Sequence, residues 1–113
     1  MSRALLIEPF SGLSGDMFLG ALVDLGAPRD ELLELPGRLG LTGASIEVHE
    51  ADRCGIRCAH VIVRDATEPV HRHLSDITSL IEAADLPPAA CDRAIRIFTL
   101  LGEAEAAVHG VPV

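Results

Sequence analysis

Apolar residues recur along this chain with several different spacings, and each spacing predicts an element. Residues 3–8, "RALLIE", read as a short, mostly buried strand. "PFSGLSG" then turns the chain. From Asp16 to Leu25 the pattern becomes helical, with Phe18, Ala21, Leu22 and Leu25 on one stripe facing a core. Gly26 stands where a helix ends in a left-handed cap. Pro28 suits the first turn of a second helix, with Asp30 and Glu31 at its positive end. Leu32, Leu33 and Leu35 give that helix an apolar side, and "PGRLGLTGA" breaks it.

Two strands follow. In the first, Ile46 and Val48 alternate with Glu47 and His49. In the second, Ile56 to Val63 is more continuously apolar, and its last five residues become apolar on both phases, which suits a central strand covered by helices on one side. The polar "EADRCG" between them predicts a hairpin connection longer than two residues. After the connector "RDATEPVHRH", Leu74, Ile77, Ile81 and Ala84 form one helical stripe. The last and longest helix carries Cys91, Ile95, Phe98, Leu101 and Val108 on its stripe. Pro87 separates the two helices and Pro88 opens the second. The order predicts an α+β fold, a small mixed sheet packed against helices in a single domain over residues 1–113. The ending "HGVPV" directly after the longest helix reads as a domain truncated at its C-terminal side.

Composition narrows the chemistry. The chain has 113 residues, 49% of them apolar, enough for one core. Its nine basic residues are all Arg, since no Lys is present. That excludes a Walker-type phosphate loop and a Schiff-base lysine. A formal net charge of -8 argues against nonspecific nucleic-acid binding. Three Cys with no signal-like start point to a reduced, cytoplasmic protein rather than a disulfide scaffold. The N-terminal apolar run is too short for a signal peptide or a membrane span.

Two segments carry candidate chemistry. In "SGLSGD", Gly12 and Gly15 permit a backbone nest for an anion, Ser11 and Ser14 add hydroxyl donors, and Asp16 could hold a divalent cation beside a phosphate. The alternative is a plain helix start, with Ser14 as N-cap and Asp16 in the first turn. In "HRHLSD", His71 and His73 could converge on one ion from an extended segment, with Asp76 as a ligand or an orienting acceptor. Arg72 would then meet a carboxylate or phosphate. The alternative is a solvated connector with two surface histidines. His109 either caps the last helix or begins a further site. Cys54 and Cys58 are too few for a closed zinc site and read as structural, as does Cys91 on its stripe. His60 reads as a satisfied ring within a strand. No Ser/His/Asp set for nucleophilic catalysis can be assigned.

"IEPFSGLSGDMFLGALVDLG", "HRHLSDI" and "AEAAVHGVPV", in this order, resemble the N-terminal part of the LarC family, the nickel insertion proteins of the nickel-pincer-nucleotide pathway. The resemblance covers essentially the whole chain. It implies a nickel chelatase or cyclometallase of lyase type, active in cofactor biosynthesis. Such a protein inserts Ni(II), as substrate metal, into pyridinium-3,5-bisthiocarboxylic acid mononucleotide in a CTP-dependent reaction. CTP and its Mn or Mg belong to the family's C-terminal part, so this portion alone is expected to be inactive. The family continues after "VHG" with a segment resembling "VHFHEVGAVDS". Carried over residue by residue, the resemblance places His71, His73, Asp76 and His109 as metal residues, with His71 and His73 also catalytic. It places Ser11, Gly12, Ser14, Gly15, Asp16 and Arg72 at the mononucleotide. The implied partners are that small-molecule substrate, the C-terminal domain of the same protein and further copies in a homo-oligomer, with neither nucleic acid nor membrane. Two other readings are a non-catalytic scaffold domain and a phosphate-binding hydrolase built on the "SGLSGD" loop.

Overall fold

In a computed structural model, described here for residues 2–66 and 71–113, four helices and one two-stranded sheet follow in the order α1 (Gly15–Asp24), α2 (Arg29–Arg38), β1 (Ala44–Arg53), β2 (Ile56–Asp65), α3 (Leu74–Ala83) and α4 (Pro88–His109). This is an α+β arrangement. The backbone groups into two compact units. One combines Met1–Leu33 with Ser45–Arg64, and the other Glu34–Ala44 with Asp65–Val113.

The first unit is organised by the hairpin. β1 and β2 are joined by Cys54 and Gly55 alone, with φ of 55° and 82°. Two successive positive φ values are those of a type I′ turn, whose twist matches that of the flanking strands. Gly supplies one position without strain, and the Asp52 carboxylate accepts the Gly55 N–H at 2.8 Å. The connection is therefore shorter than the polar run "EADRCG" suggests, and β1 continues through Arg53. Val48 and Val61 bury their side chains on the two strands, with Val61 only 1% exposed. α1 meets β2 through Gly20, where an added Cβ would lie 2.7 Å from the Ala59 carbonyl oxygen. Arg57 ties β2 to α1 through Asp24 at 3.0 Å, and Arg29 donates to the Val48 carbonyl at 2.8 Å. The end of α1 is closed by a Schellman turn. The Gly26 N–H bonds to Val23 O, the Ala27 N–H bonds to Leu22 O, and Gly26 has a φ of 104°.

Two expectations fail here. Residues 3–8 form no strand: Leu5, Leu6 and Ile7 are exposed, Leu6 at 81%. A strand exists only through a ladder, and among the described residues nothing pairs with this run. β2 is likewise not a central strand, because among the described residues β1 is its one neighbour in the sheet.

The second unit is built on a helical hairpin, α3 packed against α4. The predicted stripe on α3 is the observed one, with Ile81 and Ala84 buried. On α4 the covered residues are instead Cys91, Ala94, Ile95, Thr99, Gly102 and Ala106. Leu101 and Val108 point outward. Small residues let α3 approach closely, and this displaces the buried face from the largest side chains. α2 runs through Pro36, which is buried in its last turns, where a missing N–H costs one bond without ending the helix. Arg38, its last residue, donates to the Asp85 carbonyl at 2.8 Å just beyond α3.

Candidate functional site

Consecutive antiparallel helices bring the start of the first beside the end of the second. In the second unit this places the N-terminus of α3 by the C-terminus of α4, so residues 36 positions apart share a cavity of about 180 Å³. Arg72 and His73 line it from the α3 side, Glu105 and His109 from α4. Glu105 and His109 stand four apart on one helix face. Gly110, with a φ of 65°, closes α4 in a left-handed cap, and the Val111 N–H returns to Ala106 O at 3.1 Å. The turned-back segment Val111–Val113 completes the wall, over the groove left by Gly102.

The site residues expected from the sequence separate under this geometry. His73, Arg72 and His109 line one cavity. His71 is exposed in the connector and does not line it. Asp76 is the third residue of α3, and its carboxylate accepts the His73 backbone N–H at 2.9 Å. That bond serves the helix start, as in a capping box. Glu105 is a lining residue that the sequence motifs do not mark; its four-residue spacing to His109 is the signal that could have found it. Among the described residues, no three His, Cys, Asp or Glu side chains lie close enough together to hold a metal ion unaided. The cavity offers a few exchangeable donors, two imidazoles and one carboxylate, with a guanidinium at its edge.

The loop "SGLSGD" belongs to the first unit. Pro9 O accepts the Gly12 N–H at 3.1 Å, Gly12 has a φ of 90°, and Ser14 precedes α1 in an extended conformation. The Ser14 hydroxyl does not cap the helix; it donates a short hydrogen bond to Asp16. That bond, with smaller contributions from backbone N–H groups and the nearby His60, holds the Asp16 carboxyl below the ordinary carboxylate range. Ser11, Gly12 and Gly15 are exposed. Arg72 lies in the second unit.

A second cavity of about 580 Å³, in the first unit, runs between α1 and β2. Its lining includes Asp16, Met17, Gly20, Cys58, Ala59 and His60. All three cysteines are free. No described helix is long and apolar enough to cross a membrane.

Comparison with known proteins assigns the chain. The family model described as nickel insertion protein matches residues 5–113. Relatives named "putative nickel insertion protein" include those of Myxococcus xanthus, 46% identical over all of this chain and 30% of the relative, and Thermomicrobium roseum, 42% identical over 98% of this chain and 28% of the relative. A third, from Roseiflexus castenholzii, is 44% identical over 100% and 29%. No solved structure matches. The chain thus spans about 30% of the length of these relatives. With a family model matching nearly its whole length, the chain belongs to the nickel insertion protein family.

Proposed function

We propose that this chain is a nickel-handling portion of a CTP-dependent cyclometallase. The whole protein would insert Ni(II) into pyridinium-3,5-bisthiocarboxylic acid mononucleotide, forming the nickel-pincer cofactor. The observation that carries the reading is that His73, Glu105 and His109 line one cavity in a member of a nickel insertion family. Ni(II) is the substrate metal. Neutral imidazoles are suitable donors for it, and an incomplete protein set leaves positions open for a thiocarboxylate to take the ion over. Arg72, at the cavity edge, supplies a bidentate donor for the substrate's carboxylate or phosphate. Once the ion has passed to the substrate, the vacated His73 nitrogen would accept the ring proton. The loop Ser11–Asp16 would serve the mononucleotide in its own unit. CTP and Mn or Mg belong to the remainder of the full-length protein, so the 113-residue chain is inactive alone. The cytoplasm, where thiols stay reduced, is its compartment.

The test is nickel affinity. His73→Ala with His109→Ala should weaken Ni(II) binding at least tenfold by titration calorimetry, whereas His71→Ala should leave it near that of the unaltered chain. Unchanged affinity in the double variant removes the metal role of this cavity. Full activity of the whole protein bearing both changes would favour a scaffold.

A further inference from the structure

The cavity between α1 and β2 carries chemistry that the site at α3 and α4 does not use. Cys58 and His60 stand two apart on β2, and residues at that spacing project from the same face of a strand. Both are partly covered and both line the cavity. Among the described residues neither the thiol nor the ring is engaged in a hydrogen bond. Asp16, on the facing helix, lines the same cavity with its carboxylate kept ionised by Ser14. The rest of the lining combines apolar or small residues, among them Met17, Gly20, Ala21 and Val61, with the charged Asp24 and Arg53. Arg57, at the rim, is already held by Asp24 and Glu50.

We propose that Cys58 and His60 form a two-donor docking site for a soft divalent ion, Ni(II) in this family, with the Asp16 carboxylate as the anion facing it. A strand Cys-x-His pair supplies one thiolate and one imidazole at a spacing that a single ion can bridge. Binding replaces the Cys58 S–H bond with an S–Ni bond and releases that proton to solvent; the ion's charge is met by the thiolate and Asp16. The remaining positions are held by water. Among the described residues no third His, Cys, Asp or Glu stands close enough to close the site, so it is an open one. An ion held this way stays exchangeable, which a nickel insertion protein requires and a closed four-ligand site prevents. Thiolate donors also select softer ions over Mg or Ca, which prefer oxygen ligands. The inference rests on the family's nickel handling and is independent of the cavity at His73 and His109.

The test is Ni(II) titration of the reduced 113-residue chain, followed by the thiolate-to-nickel charge-transfer absorption in the near ultraviolet. The band should grow to one equivalent of thiolate-bound nickel. It should survive Cys54→Ser, Cys91→Ser and the His73→Ala/His109→Ala pair, and it should vanish in Cys58→Ser. His60→Gln should weaken the titration at least tenfold. A band that persists in Cys58→Ser, or no band in the unaltered chain at saturating nickel, overturns the proposal. Where a variant does not fold by circular dichroism, alkylation of the unaltered protein decides. Ni(II) should slow iodoacetamide modification of Cys58 at least tenfold while leaving the exposed Cys54 unaffected, and equal protection of both would overturn the proposal. Because the histidine cavity has no thiol, failure of that site and failure of this one give different results.

Discussion

At the scale of single residues, the hairpin carries the clearest electrostatic feature. Glu47 on β1 receives Arg64 of β2 at 2.9 Å and 3.3 Å, one contact to each carboxylate oxygen, and His49 lies 3.1 Å from Oε2. The Arg64 hydrogen bonds, and then that of His49, hold the Glu47 carboxyl below its ordinary range and push the Arg64 guanidinium up. A carboxylate whose folded value is depressed contributes stability that is present above its unfolded value and is lost as pH falls through its folded value. Glu47→Gln should therefore lower the melting temperature near neutral pH. The gap to the unaltered protein should close as pH drops below the carboxylate range. Arg64 is exposed and Glu47 partly so, and the gap should therefore be small and should shrink with added salt. Calorimetric melting temperatures across pH check this, and a gap that widens in acid refutes it.

At the scale of elements, two glycines show how helices are seated, and they give opposite expectations. A Cβ on Gly20 of α1 would meet the Ala59 carbonyl oxygen at 2.7 Å, and backbone cannot swing aside. Overpacking of this kind costs about 1–3 kcal/mol. That exceeds the gain of about 0.8–1.0 kcal/mol from replacing a helical Gly by Ala. Gly20→Ala should be destabilising. A Cβ on Gly102 of α4 would stand 3.5 Å from Val113 Cγ1 and 3.6 Å from Leu74 Cδ2, ordinary contact distances. Gly102→Ala should gain roughly 0.5–1 kcal/mol while narrowing the cavity at His73 and His109. Denaturant unfolding of the two variants separates these outcomes. The same elements show what could be read without coordinates. The extents of α1 and α3 were legible because recognisable signals end them, Gly26 for one and Pro87 beyond the other, but the core face of α1 was not: Ala21 and Leu25 of the expected stripe are exposed, and Gly20, seated against β2, is buried instead. Nor was the buried face of α4 legible, because it is set by the closeness that Gly102 and Ala106 allow, and the large side chains at Leu101 and Val108 mislead a periodicity argument. The run at residues 3–8 looks like a strand because apolar residues need cover, but its sequence says nothing about a partner. His73 and His109 were legible as candidates. Their meeting, and the addition of Glu105, depends on the antiparallel return of α4, a consequence of tertiary packing. Cys58 and His60 were each readable as structural, and only the cavity that they share with Asp16 gives them a common surrounding.

At the scale of the whole molecule, the described chain buries few side chains. Val48, Val61, Ile81 and Ala84 are its buried hydrophobics, while Phe10 is 90% and Val108 81% exposed. So little burial gives a small margin of stability, and a ligand that binds only the folded state should then be felt strongly. A single site occupied at a hundred times its dissociation constant adds about 2.7 kcal/mol. For a chain of this size that corresponds to a rise in melting temperature on the order of 10 °C. Unfolded His and Cys also take up nickel, which reduces the gain. With no Trp or Tyr in the chain, calorimetry and circular dichroism are the suitable probes. Saturating Ni(II) should raise the transition of the unaltered chain by several degrees. His73→Ala with His109→Ala should remove the share due to the α3–α4 cavity, and Cys58→Ser the share due to the α1–β2 cavity. The histidine pair belongs to one unit and Cys58 to the other, and the two losses should add as for independent sites. A rise that survives all three changes would mean that nickel stabilises the chain through neither cavity.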